Sequence, residues 1–124
     1  MTIAEAINKI DSIKPNNYSL PEKISWLSNL DGKIKIDIID THEGHEKVSF
    51  SGYNEDVNME TVLLVPAPFD NIYLRWLEAQ IDYANSEYTK YNNSITMYNT
   101  EYDEFAKYYT RNNMPLSAGK RFTF

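Results

Sequence analysis

The sequence contains no cysteine. That excludes disulfides, thiolate metal centres and thiol catalysis, and makes a reducing cytoplasm the expected place of folding. It also lacks any apolar run approaching the roughly 20 residues that span a bilayer. Met1-Thr2-Ile3-Ala4-Glu5 offers neither the basic start nor the apolar core of an export signal. The expectation is a protein neither exported nor inserted, with no membrane among its partners. Basic residues are in deficit, twelve Lys and Arg against eighteen Asp and Glu, and the resulting charge of −6 disfavours sequence-independent nucleic-acid binding. Histidine is limited to His42 and His45, and no Gly-x-Ser-x-Gly elbow occurs, which leaves little from which to build a nucleophilic triad. Internal repeats and low-complexity tracts are missing too, which argues against solenoids and disordered scaffolds.

Aromatic residues, by contrast, are abundant: ten Tyr, five Phe and two Trp in 124 residues, with most of the Tyr in the C-terminal half. With 42% hydrophobic residues the chain can build one modest core, so a single domain is expected. Thr2 with Glu5 has the spacing of a capping box, and Ile3, Ala6, Ile7, Ile10 and Ile13 follow at helical intervals, predicting a first helix to about Lys14. Pro15-Asn16-Asn17 ends it. Ser19 with Glu22 repeats the box, and Leu20, Ile24, Leu27, Leu30 or Asp31, Ile34 and Ile38 predict a second helix to roughly Thr41. Its second half also suits a strand, because Ile34, Ile36 and Ile38 alternate with Lys35 and Asp37.

From His42 to Thr61 the chain turns polar, while Val48 and Phe50 face Val62 and Leu64 as two short alternating segments, predicting a loop with a small hairpin. Leu64-Val65-Pro66-Ala67-Pro68-Phe69-Asp70 reads as extended chain, with Asp70 as the N-cap of the next helix. Leu77, Ile81, Ala84, Tyr88, Tyr91, Ile95, Tyr98, Tyr102, Phe105 and Tyr109 then recur at alternating steps of four and three without a slip of phase. One helix over about 71–112 would be on the order of 60 Å long, more than a domain of this size can cover. Asn92-Asn93-Ser94 offers a break, with Ser94 capping a separate last helix, and both versions stay open. The fold expected is mainly α: three to four helices, a long C-terminal helical region, and a small β-hairpin between helices 2 and 3. Residues 1–114 would form the single domain, with the hairpin inserted at about 44–65, and residues 115–124 a mobile tail.

Candidate chemistry is sparse. His42-Glu43-Gly44-His45-Glu46 clusters imidazoles and carboxylates, but on a loop the spacing fixes no shared ligand geometry, and a solvated polar loop is the simpler reading. Asn54, Asp56, Asn58 and Glu60 alternate like the start of a calcium loop, yet Met59 and Val65 stand where glycine and glutamate are required. Gly119-Lys120 lacks the rest of a phosphate-binding loop. Paired acids such as Asp37 with Asp40, or Asp103 with Glu104, most simply keep helix faces soluble. No catalytic group, cofactor or metal is expected. The aromatic stripe is the feature left to explain. For each Tyr alone, core is the simpler reading, but the stripe as a whole is long enough that part of it is expected to meet another chain.

The segments Leu64-Val65-Pro66-Ala67-Pro68-Phe69-Asp70, Trp76-Leu77-Glu78-Ala79-Gln80-Ile81-Asp82-Tyr83 and Glu87-Tyr88-Thr89-Lys90-Tyr91-Asn92-Asn93, with Tyr73, resemble the head-tail connector proteins of tailed bacteriophages of Gram-positive hosts. The likeness extends loosely to Trp26-Leu27, Leu30-Asp31-Gly32-Lys33 and Gly52-Tyr53, and relatives of that kind often carry glycine where Ser86 stands here. It is an order of features and contains no catalytic signature. The resemblance implies a structural virion protein, made in the bacterial cytoplasm, that forms a ring, commonly of twelve copies, beneath the portal. Its implied partners are itself, the portal protein and tail-side neck or tail proteins, with DNA passing through the channel without specific binding. The expected interface residues are Tyr88, Tyr91, Tyr98, Tyr102 and Tyr109 of the stripe and Phe122 and Phe124 of the tail. A rival reading from another class is a small acidic regulatory or anti-host protein that binds and inhibits a bacterial partner through the same acidic face.

Overall fold

In a computed structural model, which describes residues 1–116, the chain forms four α-helices: α1 Ile3–Ile13, α2 Leu20–Asp37, α3 Ile72–Ala84 and α4 Tyr88–Asn112. Short 3₁₀ turns occupy Ile39–Thr41 and His45–Lys47. Both capping boxes form as their spacing dictates, the Thr2 and Ser19 hydroxyls accepting from the Glu5 and Glu22 amides while each glutamate reaches back to its cap. The second half of α2 is helical, since Ile34 and Ile38 are buried four residues apart while Ile36 is exposed. That burial pattern follows a period near 3.6 and so decides against the strand.

Among the described residues there is no strand, and the expected hairpin does not form. The reason lies at the start of α1, whose first amides need acceptors outside the helix. Thr61 and Met59 supply them, accepting from the amides of Ile3 at 3.0 Å and Ala4 at 2.9 Å, while the Leu63 amide donates to the Met1 carbonyl. Val62 thus makes a single antiparallel bridge with Thr2 and does not pair with Val48 or Phe50. The chain just past the first arm of the expected hairpin is tied to α2 instead, where the Tyr53 amide donates to the Ser28 hydroxyl at 2.9 Å.

The continuous aromatic phase conceals a reversal of the chain. α3 ends at Ala84, and α4 runs back antiparallel to it, so that Ser94 meets Asp82, Tyr98 meets Trp76 and Glu101 meets Asn71. The turn is a Schellman motif: the Glu87 amide donates to the Asp82 carbonyl, the Ser86 amide donates to the Tyr83 carbonyl, and Ser86 adopts φ 60°. A left-handed residue with a Cβ is strained. Ser86→Gly should therefore stabilise the protein by about 0.5–1 kcal/mol in urea melts, the relief of strain exceeding the entropic cost of glycine. A destabilised variant would show that the serine side chain contributes more than the turn suggests. Asn92-Asn93-Ser94 does not break the helix, because Ser94 turns inward to donate to the Asp82 carboxylate at 2.8 Å.

Broken at 85–87, the stripe is largely covered by its own domain, except at the tip of the hairpin, where Ala84 and Tyr88 stay exposed. α3 covers the first half of α4, and the second half packs on the segment before α3 and on the end of α2 through Phe105 against Phe69 and Tyr109 against His42. Asp70 does not cap α3, which starts after Asn71 with no side-chain cap. The Asp70 carboxylate lies instead 3.5 Å from the Met1 amino group. After α4, Glu43 donates to the Met114 carbonyl and Leu116 to the Thr41 carbonyl, so residues 114–116 lie antiparallel to 41–43.

Candidate functional site

Two polar junctions hold the helices in register. At the first, Asp31 stands on the apolar line of α2 and is fully buried. Its carboxylate accepts from the Tyr53 hydroxyl at 2.5 Å, the Tyr73 hydroxyl at 2.6 Å and the Leu64 amide at 3.1 Å. The Tyr73 hydroxyl in turn accepts from the Val65 amide at 2.7 Å. One side chain thereby ties α2 to α3 and to both ends of the long segment between residues 53 and 65. Burial pushes the Asp31 carboxyl above its ordinary range, against the lowering effect of its hydrogen bonds. Burial and the facing carboxylate push the Tyr53 and Tyr73 hydroxyls up as well.

At the second junction, Lys14 reaches the buried Asp82 at 2.6 Å, on the opposite side of the carboxylate from the Ser94 hydroxyl. It binds the end of α1 to both arms of the α3–α4 hairpin. These arrangements satisfy buried charge with hydrogen bonds and counter-charge, which is the condition for keeping it inside.

The two imidazoles of the polar loop diverge. His42 is buried, with Nδ1 2.6 Å from the Ile38 carbonyl and Nε2 3.0 Å from the Thr110 hydroxyl. Hydrogen bonding assigns Nδ1–H as donor and Nε2 as acceptor, and both nitrogens are used within the fold. His45 faces solvent near Asp40 and Glu46. Among the described residues no group of three or more His, Asp or Glu side chains converges as a metal site. Asn54 and Asn58 accept from the Asp56 and Glu60 amides, local turns that use those side chains in shaping the loop.

The expected interface residues separate by position. Tyr98 is 6% exposed and packs on Trp76, with ring centroids 4.9 Å apart. Tyr102 is half-buried, its hydroxyl 3.5 Å from Asp37; burial and that carboxylate push it up to about 12. Tyr109 is half-buried with its ring edge-on to His42. Tyr88 is 56% exposed, and Tyr91 is half-buried beside it at the tip of the helical hairpin. Phe122 and Phe124 lie outside the described residues.

At that tip, Tyr83, 59% exposed, stacks edge-on with both Tyr88 at 5.8 Å and Tyr91 at 5.3 Å. Tyr83 was not singled out from sequence, because it lies off the phase of the stripe and reaches the other two only through the reversal at Ser86. Flanking charges cancel locally: Lys90 pairs with Glu87 at 2.7 Å, and Asp82 with Lys14. A second surface feature, a groove of about 590 Å³ between α2 and α3, is lined by Lys33, Ile36, Asp37 and Trp76, with the Lys33 ammonium over the Trp76 ring.

The class defined by these features is a four-helix domain whose buried carboxylates Asp31 and Asp82 are held by hydrogen bonds and by Lys14, with an aromatic, charge-balanced cluster on its surface. No helix among the described residues is long and apolar enough to cross a membrane. Compared with protein-family models, curated proteins and solved structures, the chain matches none of them.

Proposed function

We propose that this is a structural assembly protein, a head-tail connector of a tailed bacteriophage that forms a ring beneath the portal and joins it to the tail-side proteins of the virion. The observation that carries the self-assembling part is the Tyr83–Tyr88–Tyr91 cluster. Exposed aromatic side chains clustered together are typical of protein interfaces. In a chain of charge −6, this patch is flanked by paired charges, so two copies can meet here without the repulsion their other surfaces would bring. A second copy is thus the proposed occupant. The viral assignment is supported by the resemblance over residues 64–93, whose Pro-rich entry, Trp76 and Tyr-rich hairpin arms form the same part of the fold.

The test is light scattering over a range of concentrations, alone and then with portal protein from the same source. Rings, or assembly on the portal, are expected. Tyr88→Asp should weaken each subunit contact by about 2 kcal/mol, roughly thirty-fold, with the thermal melt unchanged. A strict monomer that ignores portal would overturn the reading and favour the acidic inhibitor of a bacterial partner.

A further inference from the structure

The groove of about 590 Å³ between α2 and α3 combines an aromatic floor, an apolar wall and one charge of each sign. Trp76 lies at its base, 8% exposed, with the Lys33 ammonium 5.2 Å from the ring centroid. Ile36, 67% exposed, stands on the α2 side one turn on from Lys33. A second hollow of about 400 Å³ shares Lys33 and Asp37 with the groove and extends the concave surface to Tyr102 of α4. Lys33 and Asp37 form no ion pair among the described residues.

We propose that this groove receives the tyrosine tip of a neighbouring copy, so that the two surfaces meet in a head-to-tail contact. The inference rests on the reading that the tip self-associates, and adds where on the second copy it lands. Tyr83 and Tyr88, both more than half exposed at the end of the helical hairpin, protrude from it. Two protrusions set against each other touch over little area, while the core of an interface packs as densely as a protein interior, so a protruding tip calls for a concave receiver. An aromatic side chain seated in a water-excluding pocket is also the usual anchor of such a contact.

Charge matches in spacing as well as in sign. The start of α4 sets the Glu87 carboxylate and the Lys90 ammonium about one turn apart, beside Tyr88 and Tyr91. The groove sets Lys33 and Asp37 about one turn apart, beside Ile36 and Trp76. Brought together, Glu87 meets Lys33 and Lys90 meets Asp37, with a tyrosine ring between them over Ile36 and the indole. Lys33 already lies on one aromatic face and is placed to take a second. Asn29 and Gln80 line the groove and supply partners for the tyrosine hydroxyls, which is the condition for burying them. Because such a contact uses a different surface on each side, every copy keeps a tip or a groove for the next, and the series closes into a ring when its rotation allows.

The experiment mixes two variants of the full chain and follows their mass by light scattering, up to and above the concentration at which wild type assembles. Tyr88→Asp removes the tip and leaves the groove, while Ile36→Lys blocks the groove and leaves the tip. Ile36 is exposed near the C-terminal end of α2, where a cation is favourable, so the fold should hold. The added positive charge also lowers the net repulsion in a chain of −6, so lost association must be local. Each variant alone should associate roughly thirty-fold more weakly than wild type. Their equimolar mixture retains one intact tip and one intact groove, and should form a pair that grows no further. Asp37→Lys, which sets like charge against Lys90, should replace Ile36→Lys in the mixture with the same result. Wild-type association by either groove variant, or a mixture that forms no pair, would overturn the groove as the receiver and leave self-association standing. A wild-type chain that stays monomeric would instead overturn the self-association reading itself.

Discussion

Tyr98→Asp is expected to destabilise the protein by about 4 kcal/mol or more and to abolish its cooperative melt at ordinary temperatures. The ring lies buried on Trp76, whose indole N–H donates to the Trp26 carbonyl at 2.8 Å and so links α3 and α4 to α2. Truncating a buried aromatic costs about 3–5 kcal/mol, and an unpaired carboxylate in its place adds a desolvation penalty. A domain of this size has total stability on the order of 5–15 kcal/mol, so the loss is a large part of the whole. Tyr88→Asp, half a stripe away on the same helix, should leave the melt within a few degrees. Circular dichroism melts of the two variants side by side are the check, and equal melts would show that the stripe is not divided into core and surface as described. Any assembly defect of Tyr98→Asp would report lost folding; only the tip residues test self-association cleanly.

The second large effect belongs to Asp31. Asp31→Ala strands the Tyr53 and Tyr73 hydroxyls and the Leu64 amide, and should cost about 3 kcal/mol, or roughly 10 °C in Tm. Asp31→Asn keeps an acceptor and should cost about half as much. A loss under about 1 kcal/mol for the alanine variant would mean that water or a shifted loop satisfies those donors. The pH dependence has a definite sign. Because burial raises the Asp31 carboxyl above 3.8, the folded state holds its proton to higher pH than the unfolded chain does. The carboxyl's contribution is fully present below the unfolded value and is lost as pH rises through the window up to the folded one. The Asn variant cannot ionise, so wild type should lose stability relative to it across that window; a difference flat with pH would contradict the raised value.

Asp31 also shows how far the sequence could be read. It falls on the helical line of Ile24, Leu27, Ile34 and Ile38, and a carboxyl in that line signals either a register ambiguity with Leu30 or a buried acid. Only the arrival of Tyr53, Leu64 and Tyr73, residues 22 to 42 positions away, distinguishes them. The expected hairpin is absent for a related reason. Val48, Phe50, Val62 and Leu64 alternate as strands do, but alternation says which side chains turn inward and leaves the backbone partner open. The α1 amides took the Thr61 and Met59 carbonyls, so the ladder was never available.

The sequence by itself determined the first two helices, because caps and 3.6-residue periodicity are local: Thr2 and Glu5, Ser19 and Glu22, and the lines of Ile and Leu act within a turn or two of chain. It also determined the acidic surface and the absence of thiol chemistry. Tertiary structure alone decided where the aromatic stripe reverses. A heptad phase carried through Ala84 and Tyr88 is the same for one long helix and for two antiparallel ones, and the difference rests on a single left-handed residue at Ser86 and on Ser94 bonding to Asp82 across the hairpin. That reversal buries Tyr98 and gathers Tyr83, Tyr88 and Tyr91 at the tip, since facing helices cover the same phase that a lone helix would have left exposed.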